Sequence, residues 1–247
     1  MAAQQGFQYE INAAKILKPL GLVPKNFVPA GAGHNQPDLM LVYKQKEAGC
    51  ELKITAASAG SLVMKYDIKN KKNPWSFGNI KSDEEEKLFI RDLADEVGLF
   101  KLINKQWNEI PFKRDKDVLW EATAGKLTKK QQYERDRDTF KEIKGEIPAT
   151  KIEEYYNKKD TYYVNVGTHG FYMMGNKNPL KLKGVPTFSN SAKAIYRARV
   201  QYKGSDNYQF TFEMSFSMRS KSPFNIAPTN GKTVEIQESE LNLACFI

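Results

Sequence analysis

At 247 residues and 40% hydrophobic content, the chain can bury one substantial core, or a catalytic core with a smaller annex, which excludes a disordered polymer. Lys and Arg number 38 against 29 Asp and Glu, a formal charge of +9, so the field attracts polyanions such as nucleic acid or acidic lipid without choosing between them. Two cysteines, Cys50 and Cys245, and two histidines, His34 and His169, offer little for a disulfide framework, a cysteine-zinc site or a Ser-His-Asp relay, which turns attention to carboxylate and lysine chemistry.

In chain order, Phe7, Ile11, Ala14, Ile16 and Leu17 recur mostly at three to four residues and predict an amphipathic helix over Gly6 to Leu20, closed by Pro19 and Gly21 and carrying Glu10. A Gly- and Pro-marked loop from Val28 to Pro37 leads to a strand, Leu39 to Tyr43. A polar turn, Lys44 to Gly49, and a second strand, Cys50 to Thr55, complete a hairpin. Ser82 followed by Asp83, Glu84 and Glu85 reads as a capped helix start, with the helix running to Val97 and Gly98 stopping it. A charged helix is predicted over Lys129 to Lys144, and a short one is introduced by Thr150, Lys151, Ile152 and Glu153.

From Thr161 the spacing changes to alternation, with Tyr162, Val164 and Val166 before the turn Gly167 to Gly170 and an apolar strand after it. The clearest hairpin pairs Ala194 to Lys203 with Tyr208 to Met218 around Gly204 to Asn207, placing Phe210, Phe212, Met214, Phe216 and Met218 on one buried face. The fold class is α/β, a single domain over 1–247 in which 1–160 form a core and 161–247 a β-rich part. No apolar run approaches the roughly 18 residues of a membrane span, and the opening MAAQQGFQYE lacks the basic-then-apolar order of a secretion signal. The expectation is no membrane partner and a cytoplasmic address.

Asp38 stands at the mouth of the first strand, and Glu51 and Lys53 lie on its predicted neighbour. Alternation puts Glu51 and Lys53 on one strand face while Cys50, Leu52 and Ile54 point to the apolar layer. Pairing the strands brings Asp38 beside Glu51. Two carboxylates held close repel unless a cation lies between them, and a hard dication, Mg²⁺ first, suits oxygen ligands. Lys53 would stabilise charge on a phosphate in the transition state, and Glu10 would complete the metal shell directly or through water.

With these residues in place, Gly6 to Lys65 resembles the PD-(D/E)XK nuclease superfamily: Pro37-Asp38 stands at the first strand acid, Glu51-Leu52-Lys53 matches the (D/E)-x-K element, and Glu10 matches the helix acid of many members. The resemblance implies a restriction-endonuclease-like core, a mixed central sheet flanked by helices. It also implies a Mg²⁺-dependent deoxyribonuclease, with Mn²⁺ able to substitute, that hydrolyses DNA phosphodiesters to leave a 5′-phosphate. The expected activity is endonucleolytic cleavage of double-stranded DNA in the manner of a type II restriction enzyme, where a homodimer would supply two active sites. A phage or repair nuclease or exonuclease of the same fold, and a catalytically inactive DNA-binding module, stay open.

Two basic features are candidate DNA contacts. Arg197, Arg199, Gln201 and Lys203 share one face of the first strand of the C-terminal hairpin, where arginine can read guanine edges and lysine can neutralise phosphates. The alternative is that Glu213 and Asp206 pair with that face. Lys69, Lys71 and Lys72 form a basic stretch that either grips a phosphate backbone or serves as an exposed connector. Tyr162, Tyr163, Phe171 and Tyr172 offer base-stacking faces, though alternating aromatics in strands are usually core.

Overall fold

The computed structural model describes residues 2–29, 31, 36–67, 69–111, 127–202 and 208–247. His34, Lys203 and the turn Gly204 to Asn207, all singled out above, lie outside the described residues. Among the described residues the chain is mixed α/β, with six α-helices and two sheets, and it gathers into two compact units. No described helix is long and apolar enough to cross a membrane.

The first unit comprises Met1–Ala57, Ile147–Ala194 and Phe216–Ile247. Helix α1 (Ala2–Leu17) buries Tyr9, Ala13, Ala14 and Leu17. Gly21 adopts a left-handed φ of 71°, and the Leu22 N–H donates to the Leu17 carbonyl at 3.2 Å and the Gly21 N–H to the Lys18 carbonyl at 3.0 Å, a Schellman end. The helix therefore starts earlier and ends sooner than the spacing predicts.

Strand β1 (Leu39–Tyr43) keeps its predicted bounds and pairs antiparallel with β2 (Lys46–Lys53), with Leu39 opposite Cys50 and Tyr43 opposite Lys46. The turn is only Lys44 and Gln45, both at positive φ, 47° and 62°, as a two-residue hairpin of the primed type requires. Gly49 belongs to the strand and not to the turn. A Cβ there would sit 2.5 Å from the Asp160 carbonyl oxygen and 2.9 Å from Pro37 Cβ, so the close approach demands glycine.

Helix α5 (Thr150–Asn157) precedes β6 (Thr161–Val166), which runs parallel to β2 with Glu51 at Val164 and Lys53 at Val166. Strand β7 (Gly170–Met173) closes the four-stranded order β1-β2-β6-β7. The core of this unit sets α1 and the C-terminal Ile226, Ala227, Cys245 and Phe246 against Leu39, Leu41, Cys50, Leu52, Tyr163 and Phe171. Tyr163, Phe171 and Tyr172 are fully buried and act as core, and both cysteines are free and buried.

The second unit, Ser58–Glu146 with Ile195–Ser215, holds the sheet β4-β3-β9-β8-β5. Its strands are β3 (Ser58–Tyr66), β4 (Trp75–Ser76), β5 (Ile143–Ile147), β8 (Ala192–Tyr202) and β9 (Tyr208–Met218). Trp75, Trp107, Phe140 and Phe210 meet edge to face or tilted, with centroids 4.9 to 6.4 Å apart, and form its aromatic centre. Helix α2 (Glu85–Glu96) has no side-chain cap, and left-handed Gly98 separates it from α3 (Leu99–Gln106), a helix the sequence pattern does not announce. Helix α4 (Lys129–Thr139) begins with a reciprocal Thr128/Gln131 capping box and stops short of Lys144, because the chain turns into β5.

Candidate active site

The β1/β2 register places Asp38, the residue before β1, level with the middle of β2. Its Oδ2 accepts the Leu52 backbone N–H at 2.8 Å, which fixes the carboxylate against the strand carrying Glu51 and Lys53. Lys53 Nζ lies 2.5 Å from Glu51 Oε1, as expected for residues two apart on one strand face. The Tyr156 hydroxyl, delivered by α5, donates to the same Glu51 oxygen at 3.3 Å. Glu51 is 7% exposed and Tyr156 1%.

The four ionisable groups feel one another. Burial and then the field of Glu51 push the Glu10 carboxyl up to about 7, with Lys53 opposing. Asp38 is raised well above the carboxylate range by burial, by Glu51 and by Glu10, against Lys53 and the Leu52 N–H. Burial opposes the Lys53 ammonium, but Glu51, Tyr156 and Asp38 outweigh it and its pKa rises. Three carboxylates thus share one ammonium, and burial first, with the excess negative charge second, raises the Glu10 and Asp38 carboxyls.

Whether this set fits a metal turns on its donors. The oxygen ligands and their mutual repulsion suit a hard dication, and Glu51 Oε2 accepts no hydrogen bond among the described residues, both contacts falling on Oε1. The carboxylates are not drawn into a ready-made shell: no group of three or more His, Cys, Asp or Glu side chains among the described residues is arranged to hold an ion. The donor chemistry fits, and binding would require the side chains to close together.

Glu10, Asp38, Glu51 and Lys53 are brought together in the first unit, whereas the expected DNA contacts belong to the second. There, Arg199 Nη2 lies 2.7 Å from Glu213 Oε1, Arg197 is paired with Glu142 and lies 3.7 Å from Glu213, and Gln201 Nε2 donates to Glu213 Oε2 at 2.9 Å. Glu213 is 3% exposed and Gln201 8%, so this face of β8 is engaged with β9 in the manner of the pairing alternative. Lys69, Lys71 and Lys72 are exposed in the connection between β3 and β4.

Tyr156 escaped the sequence reading. A tyrosine pair in a short amphipathic helix carries no acid-base signature, and only the position of the helix just before a strand parallel to β2 would have pointed to it.

No protein-family model, curated protein sequence or solved structure matches the chain.

Proposed function

We propose that the chain is a Mg²⁺-dependent DNA endonuclease whose first unit is a restriction-endonuclease-like core. The observation that carries the reading is the convergence of Asp38, Glu51 and Lys53 from a β-hairpin, with Glu10 from α1, into one buried electrostatic neighbourhood. A mixed sheet with a helix packed on it supports the same reading. Asp38 and Glu51 would hold the cation, with Glu10 completing the shell. When bound, Mg²⁺ supplies Lewis acidity toward a phosphate oxygen and toward water. Lys53, on the same strand face as Glu51, offers its ammonium to the charge that gathers on the phosphate during displacement. Tyr156 and the Leu52 N–H each hold a carboxylate in place.

The test is incubation of purified protein with covalently closed plasmid and with linear DNA, in Mg²⁺ or in chelator. Cutting of the closed circle in Mg²⁺ alone is expected, and intact DNA in every condition refutes the reading. Digestion of linear DNA alone identifies an exonuclease. Mapping the ends on a sequenced plasmid shows whether both strands are cut at discrete sites, as restriction-type action by a homodimer requires.

A further inference from the structure

A groove of about 680 Å³ lies between helix α1 and the segment after it, within the range of about 300–1,000 Å³ typical of ligand pockets. Glu10 feels the charges of Glu51 and Lys53, and Ala14, four residues on and so one turn along α1, lines the groove. Lys18, just past the end of α1, lines it too, so the groove begins one helical turn from Glu10. The groove wall is apolar, with Ile11, Phe27 and Val28, and its charged members are Lys15, Lys18 and Lys25. None of the described lining residues is acidic. Val28 is 73% exposed, an apolar side chain displayed among cations.

This combination selects its occupant. A DNA duplex presents phosphates outward and keeps its bases stacked inside, so it has nothing apolar to offer a concave hydrophobic wall. An unpaired strand offers both a phosphate chain and free base faces, and recognition of such strands combines basic grooves with apolar or aromatic platforms. We infer that the α1 groove binds an unpaired segment of nucleic acid leading into the candidate site, so that the substrate is DNA with a single-stranded tail, flap or opened stretch beside the cut. This inference rests on the nuclease reading and narrows its substrate.

Binding is measured by fluorescence anisotropy in chelator, where no cutting occurs, with a labelled single-stranded oligonucleotide, the blunt duplex of the same sequence and that duplex with a single-stranded tail. The single-stranded and tailed probes are expected to bind about tenfold more tightly than the blunt duplex. Charge reversal at Lys15, Lys18 and Lys25 (each Lys→Glu, combined) should remove that preference. Val28→Asp, at an exposed position that leaves the core untouched, should weaken single-strand binding severalfold, and circular dichroism confirms that each variant is folded. Equal affinity for blunt duplex, or a single-strand preference unmoved by the variants, overturns the groove assignment even if plasmid is cut. Groove-dependent binding of an acidic amphipathic peptide without any oligonucleotide binding overturns it as well. Groove-dependent single-strand binding without Mg²⁺-dependent cutting leaves the groove standing and removes the nuclease reading.

Discussion

The Tyr156 hydroxyl donates to Glu51 Oε1 across 105 residues of sequence, onto the same oxygen that Lys53 Nζ contacts. Both contacts fall on one oxygen and leave Oε2 without a hydrogen bond among the described residues, the oxygen that would hold the cation in the proposed function. Tyr156→Phe should therefore lower cleavage about 10–100-fold, in the range typical for a residue that orients a metal ligand, and raise the Mg²⁺ concentration for half-maximal rate while KM for DNA stays constant. A Mg²⁺ titration of initial rates decides it, and an unchanged curve assigns Tyr156 to packing alone.

Lys53→Ala leaves Glu51 buried without its cation and should cost about 3–5 kcal/mol of stability as well as activity. The double variant Glu51→Gln with Lys53→Met should regain most of the stability and none of the cleavage. Urea denaturation of the metal-free proteins separates the two effects; equal stability of Lys53→Ala and the parent would mean that the pair is solvated.

The pH dependence follows from carboxyls raised in the fold. Glu10, ordinarily near 4.5, stands at about 7, and Asp38 is raised as well. Between those values the folded chain holds protons that the unfolded chain has released, so the contribution of these two carboxyls to metal-free stability is full below about 4.5 and falls as pH rises toward 7 and beyond. Mg²⁺ replaces those protons and should raise the melting temperature strongly at pH 8 and weakly at pH 5. Thermal melts at both pH values with and without Mg²⁺ test this, and a pH-independent Mg²⁺ effect contradicts it.

Glu213 gathers Arg199, Arg197 and Gln201 around a buried carboxylate. Glu213→Ala should destabilise the protein by about 1–3 kcal/mol, because Arg199 loses its carboxylate and buried Gln201 its acceptor. Arg199→Ala should likewise register in denaturation and leave oligonucleotide affinity unchanged. A loss of DNA binding without loss of stability would return this face to the role of DNA contact.

The hairpin was legible because its signals are local. Strand length, β composition and period-two alternation fixed β1 at both ends and put Glu51 and Lys53 side by side. The start of α4 at Lys129 was legible too, and the structure adds the Thr128/Gln131 box that caps it. What stayed hidden depends on distant partners. Gly49 reads as a turn glycine until Asp160 and Pro37 are packed against it. The alternation in β9 suggests one wet face, yet Thr211, Glu213 and Ser215 are buried like Phe212 and Met214 between them, with Arg199 and Gln201 of the neighbouring β8 closing on Glu213. No period predicts which arginines a buried glutamate will claim, or that a tyrosine 105 residues away will reach Glu51.

The parallel union of β2 with β6 also governs timing. A ribosome adding about 5–20 residues per second releases the hairpin bearing Asp38, Glu51 and Lys53 seconds before it has made Tyr156 and β6. Until those arrive Glu51 lacks the hydrogen bond that the Tyr156 hydroxyl donates to it. The nascent chain accordingly carries these three groups early and gains Tyr156 and the β2/β6 pairing only after the intervening second-unit segment has been made.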